Sequence, residues 1–367
     1  MAADRQAGGG KHSRLRRARK DWIKGDRERV SRIEADDESV AGGQEAMRPR
    51  VITIDDVGSS QDLPRGQVIL SESGRYEVRM DDSATMLSCQ VKRGASTANE
   101  LSTLVVIGDF VRVQTLEDGR GLISHVEERR SRLGRTAAGR KGMEQVVAAN
   151  VDVILCTIGA DRPDFRRTII DRYIVASLLG DAEPIIVVNK IDTLDAVLDE
   201  LVHEEMAIYD DLGYSMHFVS AETRAGLDEL RESIGARTAV LVGQSGAGKS
   251  TITNALIGDE SRRTGEVREK DRRGVHTTVD SIMLSLDGGG HLIDTPGLRE
   301  FGIWDLEPEE LDGYFVEFED FLQQCRYLPC THTHEPACAV RAAVENGSID
   351  EGRFASYLSI FESLKQQ

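Results

Sequence analysis

The nonapeptide Gly243-Gln244-Ser245-Gly246-Ala247-Gly248-Lys249-Ser250-Thr251 fits the phosphate-loop pattern G-x-x-x-x-G-K-[ST]. Its glycines allow a turn tight enough for successive backbone N–H groups to face phosphate oxygens, and the helix it should open adds partial positive charge. Lys249 is placed to reach the outer phosphates, and the Ser250 hydroxyl to ligate Mg²⁺. A second string, Asn189-Lys190-Ile191-Asp192, has the form N-K-x-D. Guanine presents two adjacent donors, N1–H and the N2 amino group, and the Asp192 carboxylate can accept both. Adenine would leave that charge unsatisfied. Asn189 can hold the loop and the base edge, the Lys190 stem can cover the ring, and a backbone N–H of Ser220-Ala221-Glu222 can reach guanine O6. The third string, Asp294-Thr295-Pro296-Gly297, supplies a carboxylate for Mg²⁺ and a Gly297 N–H for the γ-phosphate. Between them lies Gly274-Val275-His276-Thr277-Thr278, where Thr278 is the candidate to close over Mg²⁺. Leu298 follows Gly297 where many GTPases carry a water-orienting Gln, which leaves His276 as the nearest titratable candidate. The expected ligands are GTP or GDP with Mg²⁺.

For these strings to meet, each must sit at the end of a strand. Apolar runs supply such strands: Val151–Thr157, Pro184–Val188 before the base motif, Met216–Val219 before Ser220, Thr238–Val242 before the phosphate loop and Gly290–Ile293 before Asp294. Helical spacing at Arg166–Leu179, Leu194–Leu212, Leu227–Ile234 and after Lys249 completes an α/β pattern. The order is base motif, phosphate loop, Mg²⁺ motif, whereas ordinary small GTPases place the base motif last. The same site forms if the old termini are joined and the chain is opened elsewhere. A consequence is that the segment after Asp294, expected to respond to nucleotide, runs through Leu298–Leu306 straight into the C-terminal part.

Upstream, Gln67–Glu72, Arg75–Met80, Thr85–Val91, Asp109–Gln114 and Gly121–Glu127 read as five short strands separated by glycine turns, a small barrel of the OB type. Arg129 to Lys141, rich in Arg and Gly, reads as a linker. Downstream, Cys325-x₄-Cys330-x-His332-x₅-Cys338 offers three thiolates and an imidazole, a closed set for one structural Zn²⁺, with His334 as a competing ligand. After it, Ser348-Ile349-Asp350-Glu351 has capping-box form, and Phe354, Tyr357, Leu358, Phe361 and Leu364 share one helix face expected to pack into a core.

The expected architecture is therefore multidomain α/β: a charged extension over 1–60, an OB-fold barrel over 61–140, a circularly permuted P-loop GTPase domain over 141–302 and a helical zinc-binding domain over 303–367. Net charge is −17, from 46 basic and 63 acidic residues, which by its sum disfavours nucleic acid. Its distribution is uneven, however. Arg5 to Lys20 and Arg129 to Lys141 are basic enough to contact phosphates, while Glu307 to Asp320 is acidic. No apolar run approaches about 20 residues, so no membrane span is expected. With five cysteines, an odd count, and no signal-peptide pattern, the chain reads as cytoplasmic.

With these residues in place, the chain resembles the circularly permuted GTPases of the RsgA family, the small ribosomal subunit biogenesis GTPases, over about residues 66 to 364. The resemblance rests on the three nucleotide motifs, Gly274–Thr278 and the Cys-Cys-His-Cys set. It implies GTP hydrolysis stimulated by the small (30S) ribosomal subunit, contacts with 16S rRNA during late maturation, and zinc on Cys325, Cys330, His332 and Cys338 in preference to His334. A monomer is expected. The alternative from the residues alone is a nucleotide-gated binding module for another RNA or protein.

Overall fold

The computed structural model describes residues 62–72, 74–83, 85–97, 105–136, 144–161, 167–257, 281–286, 289–295, 303–304 and 306–366. The extension over 1–60 and the segment Gly274–Thr278 lie outside them.

Alternation of apolar and polar residues drives the first five strands: β1 (Arg65–Glu72), β2 (Arg75–Met80), β3 (Met86–Thr97), β4 (Phe110–Thr115) and β5 (Gly121–Val126). Val68, Val78, Val111, Val113, Ile123 and Val126 point inward and are fully buried. The strands pair in the order β1-β2-β3-β5-β4, and β4 returns to β1 to close the barrel. The β3–β5 pair is parallel, the arrangement expected of an OB fold.

The expected linker over 129–141 is instead structured in its described part. β6 (Arg132–Thr136) pairs antiparallel with β7 (Glu144–Ala149). The Arg and Gly content hides a short apolar set, Leu133, Val146 and Ala148, all buried. Beside it Arg129 lies fully buried against Asp109, with Nε–Oδ1 2.7 Å and Nη2–Oδ2 2.8 Å, so the two charges compensate each other.

The α/β part contains β8 (Val153–Gly159), α1 (Arg167–Leu179), β9 (Glu183–Asn189), α2 (Ala196–Asp211), β10 (Ser215–Val219), α3 (Leu227–Ile234), β11 (Thr238–Gly243), α4 (Lys249–Leu256), β12 (Ser281–Ser285) and β13 (His291–Asp294). The order is β10-β9-β8-β11-β13-β12, parallel except for β12 against β13. Each face of the sheet is covered by helices. In β8, Val153 and Leu155 join the core formed with α3 and α4, while Ile154 and Cys156 join the core on the α1 side. β12 also pairs with β1, so barrel and sheet are continuous.

At the C-terminus, 3₁₀ turns over Pro308–Tyr314 and Val316–Phe318 precede α5 (Glu319–Leu322), α6 (Ala339–Glu345) and α7 (Glu351–Lys365). The helix cap is Asp350, whose side chain accepts from the Arg353 N–H, rather than the expected Ser348, because α7 starts at Glu351. The predicted apolar face is inside, with Tyr357, Phe361 and Leu364 buried. That core runs without a break into the α1 side of the sheet. Arg353 lies in this seam, bonded to Asp171 of α1 and to Glu317 (Nε–Oε1 2.7 Å), while the Tyr209 hydroxyl donates to Asp171 at 2.8 Å. Among the described residues, no helix is long and apolar enough to cross a membrane.

Candidate functional site: a guanine-nucleotide cleft and a Cys₃His cluster

Because β8, β9, β10, β11 and β13 run parallel, their C-terminal ends lie along one edge of the sheet. On that edge stand Gly159, Asn189, Ser220, the loop from Gly243 and Asp294, where ligands of open parallel sheets bind.

Asn189 joins three of the motifs. It is buried, its Nδ2 donates to the Ala247 carbonyl of the phosphate loop at 2.9 Å, and its Oδ1 accepts from the Ala221 N–H at 3.1 Å. Two cooperating constraints bring the chain so close. Gly248 has φ +88°, and a Cβ there would stand 2.2 Å from Asn189 Nδ2. Only glycine meets both requirements. Asp192 and Lys249, 57 positions apart in the sequence, thus flank one cleft.

Within the cleft, the Ser220 hydroxyl donates to Asp192 Oδ1 at 2.5 Å and accepts from the Thr223 N–H at 3.0 Å, which aims an exposed carboxylate. The Ala221 N–H, one of the candidate donors to guanine O6, is directed at Asn189 here. Lys190 adopts a left-handed conformation (φ 69°) and its ammonium pairs with Asp161 Oδ2 at 2.8 Å. The Lys249 ammonium donates to the Gly243 and Gln244 carbonyls at 2.6 and 2.8 Å, curled over the loop that Gly243, Gln244, Ser245, Gly246, Ala247 and Gly248 form. Ser250 and Thr251 begin α4 and are exposed. Asp294 ends β13, one residue past the Val240–Ile293 pair, and is exposed toward the same edge. Next to it Thr295 is buried, with a hydroxyl that meets no partner among the described residues. His276, Thr278 and Gly297 lie outside the described residues.

Three features of the cleft escape motif reading. Asp161 as the partner of Lys190, Ser220 as the group aiming Asp192, and the hub role of Asn189 are all contacts between distant segments. Only the Gly159-Ala160-Asp161 turn after β8 carries any local signal.

The second site lies in the C-terminal part. Ligand atoms of Cys325, Cys330, His332 and Cys338 all fall within 4.8 Å of one another, and all four residues are buried. The Cys325–Cys338 sulfurs are 3.9 Å apart, and His332 Nδ1 stands 3.3 Å from Cys338 and 3.7 Å from Cys325. A tetrahedral ion with bonds of about 2.3 Å to sulfur sets sulfur–sulfur edges of about 3.8 Å, so the set fits Zn²⁺. His332 Nε2 lies 3.4 Å from Asp312 Oδ2, a carboxylate placed to fix the ring. The Ala339 and Arg341 N–H groups donate to the Cys325 and Cys338 sulfurs, favouring thiolates. Burial pushes the Cys330 thiol up to about 12, and a cation held by the four side chains would favour its thiolate. His334 is exposed and turned toward Thr333.

The RsgA GTPase model matches residues 126–304. A small ribosomal subunit biogenesis GTPase RsgA of Chlorobaculum parvum is 43% identical over 288 residues, covering 76% of this chain and 91% of the relative. The chain belongs to the RsgA GTPase family. It is accordingly a GTP-hydrolysing enzyme. A protein of the same name from Phocaeicola vulgatus is 33% identical over 303 residues, 82% of this chain and 97% of its own length. In three dimensions this RsgA-family chain is similar to YjeQ from Thermotoga maritima (TM-score 0.66, 31% identity, 83% of this chain and 99% of that one). It is also similar to YloQ, described as a circularly permuted GTPase (TM-score 0.64, 26% identity, 84% and 97%). The fold is therefore an OB-type barrel, a permuted P-loop GTPase and a C-terminal helical part with a Cys₃His group suited to zinc.

Proposed function

We propose that this chain is a GTPase of small-subunit biogenesis that binds the 30S subunit, contacts 16S rRNA, and hydrolyses GTP during late maturation with stimulation by the subunit. It works as a cytoplasmic monomer, in modules over 61–140, 141–302 and 303–367. The observation that carries the nucleotide reading is the Asn189 joint, which draws base motif and phosphate loop into one cleft. The names of the curated relatives support the partner.

In this reading Asp192, aimed by Ser220, accepts guanine N1–H and N2–H, and a backbone N–H of Ser220-Ala221-Glu222 reaches O6. The backbone from Gly243 to Thr251 and the Lys249 ammonium hold the phosphates. The γ-phosphate, a stronger acceptor than the Gly243 and Gln244 carbonyls, draws the Lys249 ammonium toward it. Ser250, Thr278 and Asp294 hold Mg²⁺, which when bound neutralises charge developing between the β- and γ-phosphates. Water attacks the γ-phosphorus as the bond to the β–γ bridging oxygen breaks, giving GDP and phosphate; the Gly297 N–H contacts the γ-phosphate and His276 orients the water. Cys325, Cys330, His332 and Cys338 would hold zinc as a closed four-ligand set that fastens the C-terminal part and leaves no position open for a reactant.

The test is GTP turnover with purified small subunits, large subunits and free RNA. Stimulation confined to small subunits is expected; equal rates with all three overturn the assignment of partner.

A further inference from the structure

The barrel is attached to the strand that carries Asp294 at two points. The first is backbone pairing. Leu70 of β1 is opposite Ile282 of β12, and Ile282 is opposite Asp294 of β13, so the three residues form one rung across three strands. At about 4.8 Å per strand, the barrel's first strand lies only about 10 Å from the Asp294 backbone. The second is a side-chain bridge at the other end of β13. Arg79, on β2, donates from Nη1 to His291 Nε2 at 3.0 Å and from Nη2 to Gln67 Oε1 at 3.1 Å. Gln67 is itself buried and donates to the Gly108 carbonyl at 3.4 Å.

This bridge has a defined polarity. A guanidinium can only donate, so His291 Nε2 must accept and its proton resides on Nδ1. Burial, and then the Arg79 charge, lower the His291 pKa, which keeps the ring neutral and able to accept. The backbone N–H of His291 donates to the Arg237 carbonyl at 3.0 Å, just before β11 leads to the phosphate loop. His291 thus connects the barrel with the two strands that end in Asp294 and Gly243. Nothing in the nucleotide motifs calls for an Arg on the barrel or a His three residues before the Mg²⁺ carboxylate.

We propose that Arg79 is a positioning residue for GTP hydrolysis: through His291 it fixes β13 against the barrel and so sets the placement of Asp294. The proposal rests on Asp294 being the Mg²⁺ carboxylate. Arg79 touches no reacting atom and acts only along the strand. Its effect therefore belongs in the metal-dependent step and not in recognition of the base.

The experiment uses the full-length chain and measures GTP turnover against Mg²⁺ concentration, with guanine-nucleotide affinity and thermal melting alongside. R79M keeps the alkyl stem and removes the donors; H291F removes the acceptor; R79K keeps the charge and N–H donors on a single nitrogen. Coupling through packed elements of this kind carries about twofold to thirtyfold. R79M and H291F are each expected to raise the Mg²⁺ concentration for half-maximal turnover within that range, the double variant to be no worse than either single, and R79K to recover most of the loss. A purely structural role would lower the melting temperature without moving the Mg²⁺ requirement. Should D294N destroy Mg²⁺-dependent turnover while R79M and R79K both leave the Mg²⁺ requirement at the wild-type value, the coupling is overturned and the Asp294 assignment stands. Additive effects of R79M and H291F would also overturn it. Should D294N itself turn over normally, the Asp294 assignment falls and takes the coupling with it.

Discussion

In the proposed function a single carboxylate sets the base preference. Asp192 offers two acceptors where guanine offers two donors, and Ser220 holds it from behind at 2.5 Å. In D192N one of those positions becomes a donor, which suits the N1–H and C2 carbonyl of xanthine instead. Losing a charged hydrogen bond costs about 1.5–3 kcal/mol, roughly ten- to hundredfold in affinity. D192N is expected to bind GDP that much more weakly and to gain affinity for the xanthine nucleotide, read by competition against a fluorescent nucleotide; unaltered preference would remove Asp192 from the base site. Asp192, Lys249 and the Cys-Cys-His-Cys set were all visible in the sequence because each belongs to a short string with fixed spacing. Asn189 was visible as a motif member, but its bonds to Ala247 and Ala221 were not, since neither partner is near it in the chain.

At the scale of elements, the seam between α1 and α7 depends on one buried cation. Arg353 compensates Asp171 and Glu317, and it lies over the Phe315 ring at 4.7 Å. Replacing it with Met would leave the Asp171 and Glu317 carboxylates without their cation, and breaking such a buried pair costs about 3–5 kcal/mol. R353M is therefore expected to lower the melting temperature strongly, while R353M combined with D171N and E317Q recovers part of the loss. The loop between the metal ligands shows the opposite charge logic. Burial tends to raise the Glu335 pKa, but the Thr331 hydroxyl and N–H and the His334 N–H all donate to the carboxylate and hold it at about 2, below its usual 4.5. A depressed carboxyl stabilises the fold above its unfolded value and loses that contribution as pH falls through the folded one. The stability gap between wild type and E335Q, measured by urea denaturation, should be full above about pH 4.5 and narrow toward pH 2. Neither Arg353 nor Glu335 announces itself in sequence: a lone charge, whether in an apolar helix pattern as at Arg353 or in a loop as at Glu335, reads as surface until its partners are placed. The β6–β7 hairpin was missed for a similar reason. Its Arg and Gly content outweighs three small apolar residues whose burial depends on the neighbouring sheet.

Across the whole molecule, the apolar core beneath the Cys₃His cluster is continuous with the core of the GTPase sheet. Metal removal should therefore be felt well beyond the ligands. Chelation of the zinc-loaded protein is expected to collapse the packing of Phe315, Phe318 and Tyr357, seen as loss of near-ultraviolet circular dichroism, and to lower the melting temperature of the GTPase part in the same transition. Two separate transitions would show that the cores are independent. The sequence by itself marked the candidate residues for a guanine nucleotide and for a metal, the permuted order of the motifs, and most of the strands and helices, though not β6, β7 or β12. Those depend on short strings and on periodicities of two and 3.6, which any stretch of chain carries within itself. Only the tertiary structure decided that Gly248 must yield space to Asn189, that β12 pairs with β1 and makes barrel and sheet continuous, that Arg79 reaches His291, and that Arg353 fastens α7 to α1. Each of these joins segments from 59 to 212 residues apart. A single Arg or a backbone edge has no local pattern to mark its partner, so the fold alone brings the two together.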